Sequence, residues 1–334
     1  MRKAFSLVAV ATMALAMFSC NKEMTVAPQV EDNNNSAVTN VVTKAYGDKT
    51  PKMFVYVETN DVNPVNALDY YLSDGSQFFD VVELFAANIN VDGNGDPCIY
   101  FNDKLAPVMA DTTTYIRPLQ NAGIKVLLTL LPNWQNMGLC TMTDEQASML
   151  AEIAAHVVNE YGLDGIGLDD EYEGTEYTTV PGSYGNFISY LRTYLGSDKL
   201  ITAFGYGHIG TSQINSTAGS YLDYAYTNFT YYYLNTTPDI AGVTTGRWAP
   251  MSIDLSYSYG TTARSYMKSN ATTLANGGYA GVMFFNLPKY STRNCVPVFT
   301  AVAEGAYNKT VYVSGGNRTR ATATAGVTIT YNDI

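Results

Sequence analysis

The sequence is poor in cysteine and in basic residues, and after its first eighteen residues it has no long apolar run. Each shortage excludes something. Of the four cysteines, Cys20 lies at the end of a leader, so the body keeps Cys98, Cys140 and Cys295. An odd number without CxxC spacing gives neither a disulfide framework nor a zinc site, and at most one bridge can form. Lysine and arginine together number 19 against 30 acidic residues, a formal charge of −11. No block of Lys or Arg stands out, which excludes nucleic acid and other polyanions as partners. Asp92-Gly93-Asn94-Gly95-Asp96 opens like a calcium loop. Pro97, however, stands where an EF-hand needs Gly, and Asp103 where it needs a bidentate Glu. The segment reads as the turn of a β-hairpin between NINV and CIYF. No metal and no cofactor is expected.

The early apolar run has its own meaning. Arg2 and Lys3 precede uncharged residues 4–18, then Ser19-Cys20 and the polar Asn21-Lys22-Glu23. That run is shorter than the roughly 20 residues a spanning helix needs, so residues 1–20 read as a signal peptide. A small residue before cysteine resembles a bacterial lipobox, which would make Cys20 the lipidated first residue. The expectation is an exported lipoprotein at the outer membrane or cell surface, touching the membrane only through its lipid; simple secretion is the alternative. Loss of Arg2 and Lys3 takes the charge to −13. Residues 21–50 are rich in Asn, Thr and Val without sustained period and read as a flexible tether.

What is present in the body is a strand and helix alternation. Strands are expected at 53–58, 81–86, 125–131, 165–171, 200–205, 224–228, 251–255 and 281–286. Between them fall helical patterns at 106–122, 144–161, 184–195 and 262–276. The second begins with a Thr143/Gln146 capping box and stops at Gly162. Eight strands with intervening helices predict an α/β fold, a (β/α)8 TIM-type barrel over residues 51–305, whose site lies at the carboxyl ends of the strands. Residues 306–334, with TVYV, a Gly-Gly turn and GVTITY, suggest an added β-hairpin or a tail. A single-barrel monomer is expected.

One stretch dominates the barrel: DGIGLDDEY, residues 164–172. As a strand it turns Ile166, Leu168 and Asp170 one way and Gly165, Gly167, Asp169 and Glu171 the other. An acidic loop would account for three carboxylates alone. The apolar strand before them, with two glycines clearing space beneath two acids, favours a catalytic strand end. Tyrosine is also abundant, at 27 residues; its rings can stack on sugars while its hydroxyls hydrogen-bond.

VYVETND, FFDVVELFAANIN, IRPLQNAGIKVLL, YGLDGIGLDDEY, LDYAYTN and GVMFFNL, spread over residues 53–290, resemble the endo-β-N-acetylglucosaminidases of the endoglycosidase H and F type, in glycoside hydrolase family 18. The resemblance implies a (β/α)8 barrel that cuts between the two core N-acetylglucosamines of N-linked glycans. It puts Glu171 in the general acid/base position and Asp169 in that of the assisting carboxylate. The sugar's own acetamido oxygen is then the nucleophile, an exception to the usual carboxylate pair. A tyrosine hydroxyl usually holds that oxygen; Tyr226 and Tyr231 are the candidates, with Asn228 as a sugar contact. Chitinase-like members carry Asp where this chain has Gly167, so the carboxylate beneath the catalytic acid is missing and the way Asp169 is held stays open.

Further cleft candidates lie at strand ends: Glu58, Asn88, Asn133, Trp134, His208 and Asn286, with Trp134 the best sugar platform. Two other readings compete, a non-catalytic glycan-binding lipoprotein and a chitinase-like hydrolase. Asp169 with Glu171 speaks against the first, Gly167 with IRPLQ and FAANIN against the second.

Overall fold

The computed structural model describes residues 49–133, 135–171 and 178–334. The signal peptide, Cys20, nearly all of the tether and Trp134 lie outside the described residues.

Eight barrel strands run in sequence order around a parallel sheet. They are β1 (Lys52–Glu58), β2 (Val81–Val91), β3 (Lys125–Pro132), β4 (Gly165–Leu168), β5 (Leu200–Gly205), β6 (Tyr224–Thr227), β7 and β8 (Gly281–Phe285). The seventh is broken into Trp248–Ala249, paired with β6, and Met251–Asp254, paired with β8. Pro250 between them has no N–H to give to the ladder, and its carbonyl accepts from Asn235 N instead. The two halves of the seventh strand are thus the two ends of the sheet.

Period-two alternation sorts the side chains into two cores. Met53, Val55, Val57, Ile166 and Leu168 face the helices in the larger cluster. Phe54, Tyr56, Phe85, Leu127, Phe204, Tyr226 and Met283 fill the barrel. Among the described residues no helix is long and apolar enough to cross a membrane.

The helix Asp144–Tyr161 has the expected capping box, and Gly162 ends it in the left-handed region at φ 59°. The expected helix at 106–122 is instead three short pieces, Ala106–Ala110, Thr112–Tyr115 and Arg117–Asn121. Asp111 accepts from Thr114 N and starts a new turn, and the threonine run that follows favours helix weakly. The hairpin at 88–101 is present, its strands paired from Asn88↔Tyr100 to Val91↔Pro97. Asp92 closes its turn by accepting from the backbone of Asn94 and Asp96. The C-terminal segments are strands but do not form a hairpin. Val311–Val313 pairs with Tyr70–Leu72, and Val327–Ile329 with the hairpin strand Pro97–Phe101. Each covers an existing edge.

The IRPLQ and DG pieces meet at the amino end of β4. Arg117 donates to Gly162 O and Tyr161 O, each at 2.7 Å, and Gln120 Nε2 to Asp164 Oδ2 at 2.8 Å. Asp164 also accepts from Lys125 Nζ and Val126 N. These residues satisfy a helix end and fix the start of β4, far from its acidic end. Arg117→Ala is therefore expected to lower stability by about 1–3 kcal/mol while leaving turnover of the folded protein unchanged, as a melting curve beside a rate measurement would show.

Candidate active site

Beyond Leu168 the chain continues the ladder for one more residue, Asp169 N donating to Leu130 O at 3.1 Å. Asp169 is 2 % exposed. Together with the half-buried Glu171 it lines a narrow slot whose other walls are Tyr56, Phe204, Phe229, Met283 and Phe285. Phe229 packs on Phe204 and Phe285 with ring centroids 5.3 and 5.4 Å apart. Two carboxyl groups thus stand in a wall of aromatic rings at the carboxyl end of the barrel. Asp170 turns away from that slot: buried, it accepts from Cys140 N at 3.0 Å.

Burial raises the pKa of Glu171, and the charge of Glu58 raises it further. The protonated form of Glu171 is favoured as a result. Glu58 sits at the end of β1, accepts from Asn60 Nδ2 at 2.7 Å, and is itself raised by burial.

Two residues that the sequence did not single out complete the interior. Tyr56 on β1 is enclosed, and its hydroxyl has no hydrogen-bond partner among the described residues. Burial puts its pKa well above the ordinary value, with Glu83, Asp169, Tyr184 and Glu171 adding to the effect in that order. It remains a neutral donor beside the acids. Glu83 on β2 has no exposure. Its Oε1 accepts from Thr202 Oγ1 at 2.6 Å and Tyr226 Oη at 3.0 Å, and its Oε2 from Thr129 Oγ1 at 3.2 Å.

The remaining candidates separate. Tyr226, expected to hold the acetamido oxygen, is 0 % exposed with its hydroxyl donated to Glu83; it belongs to the layer beneath the slot. Asn228 is exposed, but its amide donates to Tyr206 O and its oxygen accepts from Phe229 N, so it ties the ends of β5 and β6. Tyr231, 40 % exposed, packs edge-on against Tyr257 at 5.4 Å. Asn88 is half-buried, opposite Leu131 on β3 and Tyr100 of the hairpin. Asn133 donates to Asn90 Oδ1. Asn286, with φ 61°, lines a separate groove with Asp61, Lys289 and Arg293. His208 opens a short helix after β5.

No family model matches the chain. Curated relatives do. The chain is 36 % identical over 263 residues to an endo-β-N-acetylglucosaminidase of Flavobacterium sp. (strain SK1022), covering 76 % of this chain and 81 % of that protein. It is 31 % identical over 185 residues to endo-β-N-acetylglucosaminidase F1 of Elizabethkingia meningoseptica, covering 52 % and 55 %. Among solved structures it is similar to EndoBT-3987 of Bacteroides thetaiotaomicron bound to a Man5GlcNAc product. That likeness has a TM-score of 0.69 at 25 % identity over 86 % of this chain and 67 % of that one. A family 18 chitinase of Chromobacterium violaceum shares the fold, with TM-score 0.54 at 16 % identity over 76 % and 83 % of the two chains.

Proposed function

Because the chain belongs to the endo-β-N-acetylglucosaminidases of the endoglycosidase H and F type, in glycoside hydrolase family 18, we propose that it hydrolyses the bond between the two core N-acetylglucosamines of N-linked glycans. The observation that carries the reading is the pair Asp169 and Glu171 on one wall of an aromatic slot at the barrel's carboxyl end. Glu171, whose protonated form burial and the charge of Glu58 favour, gives its proton to the leaving oxygen. The 2-acetamido oxygen of the sugar attacks C1 and forms an oxazoline-like intermediate. Asp169 accepts the amide N–H and stabilises the positive charge that develops. Glu171 then takes a proton from water, which opens the intermediate with retention. The hydroxyl of Tyr56 is placed to donate into the same space.

Incubation with a defined N-glycoprotein tests this. A protein product that keeps a single N-acetylglucosamine on its asparagine, with a released glycan ending in the other, is the expected result by mass spectrometry. Cleavage of chito-oligosaccharides with the glycoprotein left whole would favour the chitinase-like reading, and glycan binding without cleavage the non-catalytic one.

We also propose that the protein is lipid-anchored through Cys20, on the support of the Ser19-Cys20 junction after a short apolar run. Cys20→Ala is expected to move the protein from the membrane fraction to the soluble one. A Cys20→Ala form that still sediments with membranes would remove the proposal.

A further inference from the structure

We infer, on the catalytic reading of Asp169 and Glu171, that Glu83 is a positioning residue for that pair. Its carboxyl comes from β2 and fills the space that the absent side chain of Gly167 leaves beneath Asp169. The motif on β4 has no acid at position 167; the barrel supplies one from two strands away.

The geometry is direct. A Cβ built on Gly167 would overlap Glu83 Oε2 and would stand 3.0 Å from Glu83 Cδ and 3.2 Å from Thr129 Oγ1. Gly167 and Asp169 lie on the same face, two residues apart, so the occupied space is about 7 Å below Asp169 along the strand. Three neutral hydroxyls hold the carboxyl: Thr129 from β3, Thr202 from β5 and Tyr226 from β6. No Lys or Arg forms an ion pair with it among the described residues. Tyr226 on β6 and Tyr56 on β1 are the titratable groups beside it, and the Tyr56 hydroxyl also feels the charges of Asp169 and Glu171.

A buried carboxyl without a cation is an expensive way to fill a barrel, and an apolar side chain would fit there at lower cost. What the acid adds is a charge that can be switched. Burial pushes its pKa up to about 7, against the opposing pull of the bonds from Thr202, Tyr226 and Thr129. Below that pH Glu83 is neutral. As Glu83 ionises, a negative charge arises under Asp169 and Glu171, and Glu171 gives up its proton less readily. Glu83 therefore extends the acid form of Glu171 to higher pH.

The test is the pH dependence of kcat and KM on an N-glycoprotein for the wild type, Glu83→Gln, Glu83→Ala, Gly167→Asp and the double variant Glu83→Ala/Gly167→Asp, each with a melting curve. Glu83→Gln keeps the volume and the acceptor for Thr202 and Tyr226. It should leave KM and the acid limb in place while the alkaline limb of kcat moves to lower pH. Gly167→Asp alone should be inactive or unfolded, because its side chain and Glu83 claim one space. The double variant moves the carboxyl onto β4; it should regain at least about tenfold over Glu83→Ala and return the alkaline limb toward that of the wild type. A Glu83→Gln protein with the wild-type pH profile and kcat would overturn the inference, as would a folded double variant no more active than Glu83→Ala. A wild type that hydrolyses, and loses activity in Glu171→Gln, with an unmoved Glu83→Gln profile overturns the role of Glu83 alone. A wild type without hydrolysis overturns the catalytic reading and this inference together.

Discussion

Glu171→Gln is expected to lower hydrolysis of an N-glycoprotein by about a hundredfold or more, with little change in KM. The amide fills the same place at the end of β4 but has no proton to give to the leaving oxygen. Among the described residues that line the slot, none is set to take over. Its other walls are Tyr56, Asp169, Met283 and three phenylalanines, and Tyr56, with its pKa raised well above normal, is too weak an acid. The aromatic walls of the slot are untouched, so binding should persist. The pH dependence follows from the raised pKa of Glu171. The reactive state has Glu171 protonated, so activity is present below that raised pKa and lost as pH rises through it. Burial and Glu58 move that loss above the ordinary carboxylate range. Wild-type turnover against pH, beside Glu171→Gln at the optimum, checks both statements; near-wild-type hydrolysis by Glu171→Gln would remove the residue from the acid role.

The barrel was legible because its signals are local. Most strands are short apolar runs, and Thr143, Gln146 and Gly162 mark one helix at both ends; strand ends were less legible, since the second runs on to Val91, the fourth stops at Leu168 and the seventh begins at Trp248. Asp169 and Glu171 were legible for a related reason: period two carried on from β4 puts them on one face, and both do line the slot, although the strand stops at Leu168 rather than at Glu171. What escaped the sequence depends on which strands meet. In VVELF, Glu83 is one acid in an apolar strand; only closure of the sheet brings it to Gly167, 84 positions later. Tyr56 and Tyr226 are both inward-facing strand tyrosines, and depth decides between them. Tyr226 ends beneath the slot on Glu83, Tyr56 in its wall. Residues 306–334 read as a hairpin or a tail because the partners of their two strands, at 70–72 and 97–101, lie more than two hundred residues away. IRPLQ, useful as a likeness, turns out to hold a helix end and Asp164, a task that no local pattern announces.

Asp169→Asn should separate formation of the intermediate from its use. The side chain keeps its shape in the buried position at the top of β4 but loses the charge that orients the acetamide and offsets the developing cation. Removing such a stabiliser costs on the order of 10²–10³ in rate, and hydrolysis of a glycoprotein should fall accordingly. A synthetic sugar oxazoline bypasses the impaired step, because its ring is already closed. With Glu171 intact as base, an N-acetylglucosamine acceptor can open that ring: the oxazoline nitrogen takes up a proton from water, the acceptor's hydroxyl oxygen bonds to C1 as its proton passes to Glu171, and the C1–oxygen bond of the oxazoline breaks to leave the acetamide with its N–H. The product then meets the same impaired first step and persists. Asp169→Asn is thus expected to accumulate a transfer product that the wild type forms and then hydrolyses. Asp170→Asn is the matched control. Its oxygen can still accept from Cys140 N outside the slot, so hydrolysis should stay near the wild-type rate. Time courses of oxazoline transfer and of glycoprotein hydrolysis by the three proteins decide the matter. A covalent glycosyl adduct trapped on Asp169 would make that residue the nucleophile and exclude the acetamido group from the part.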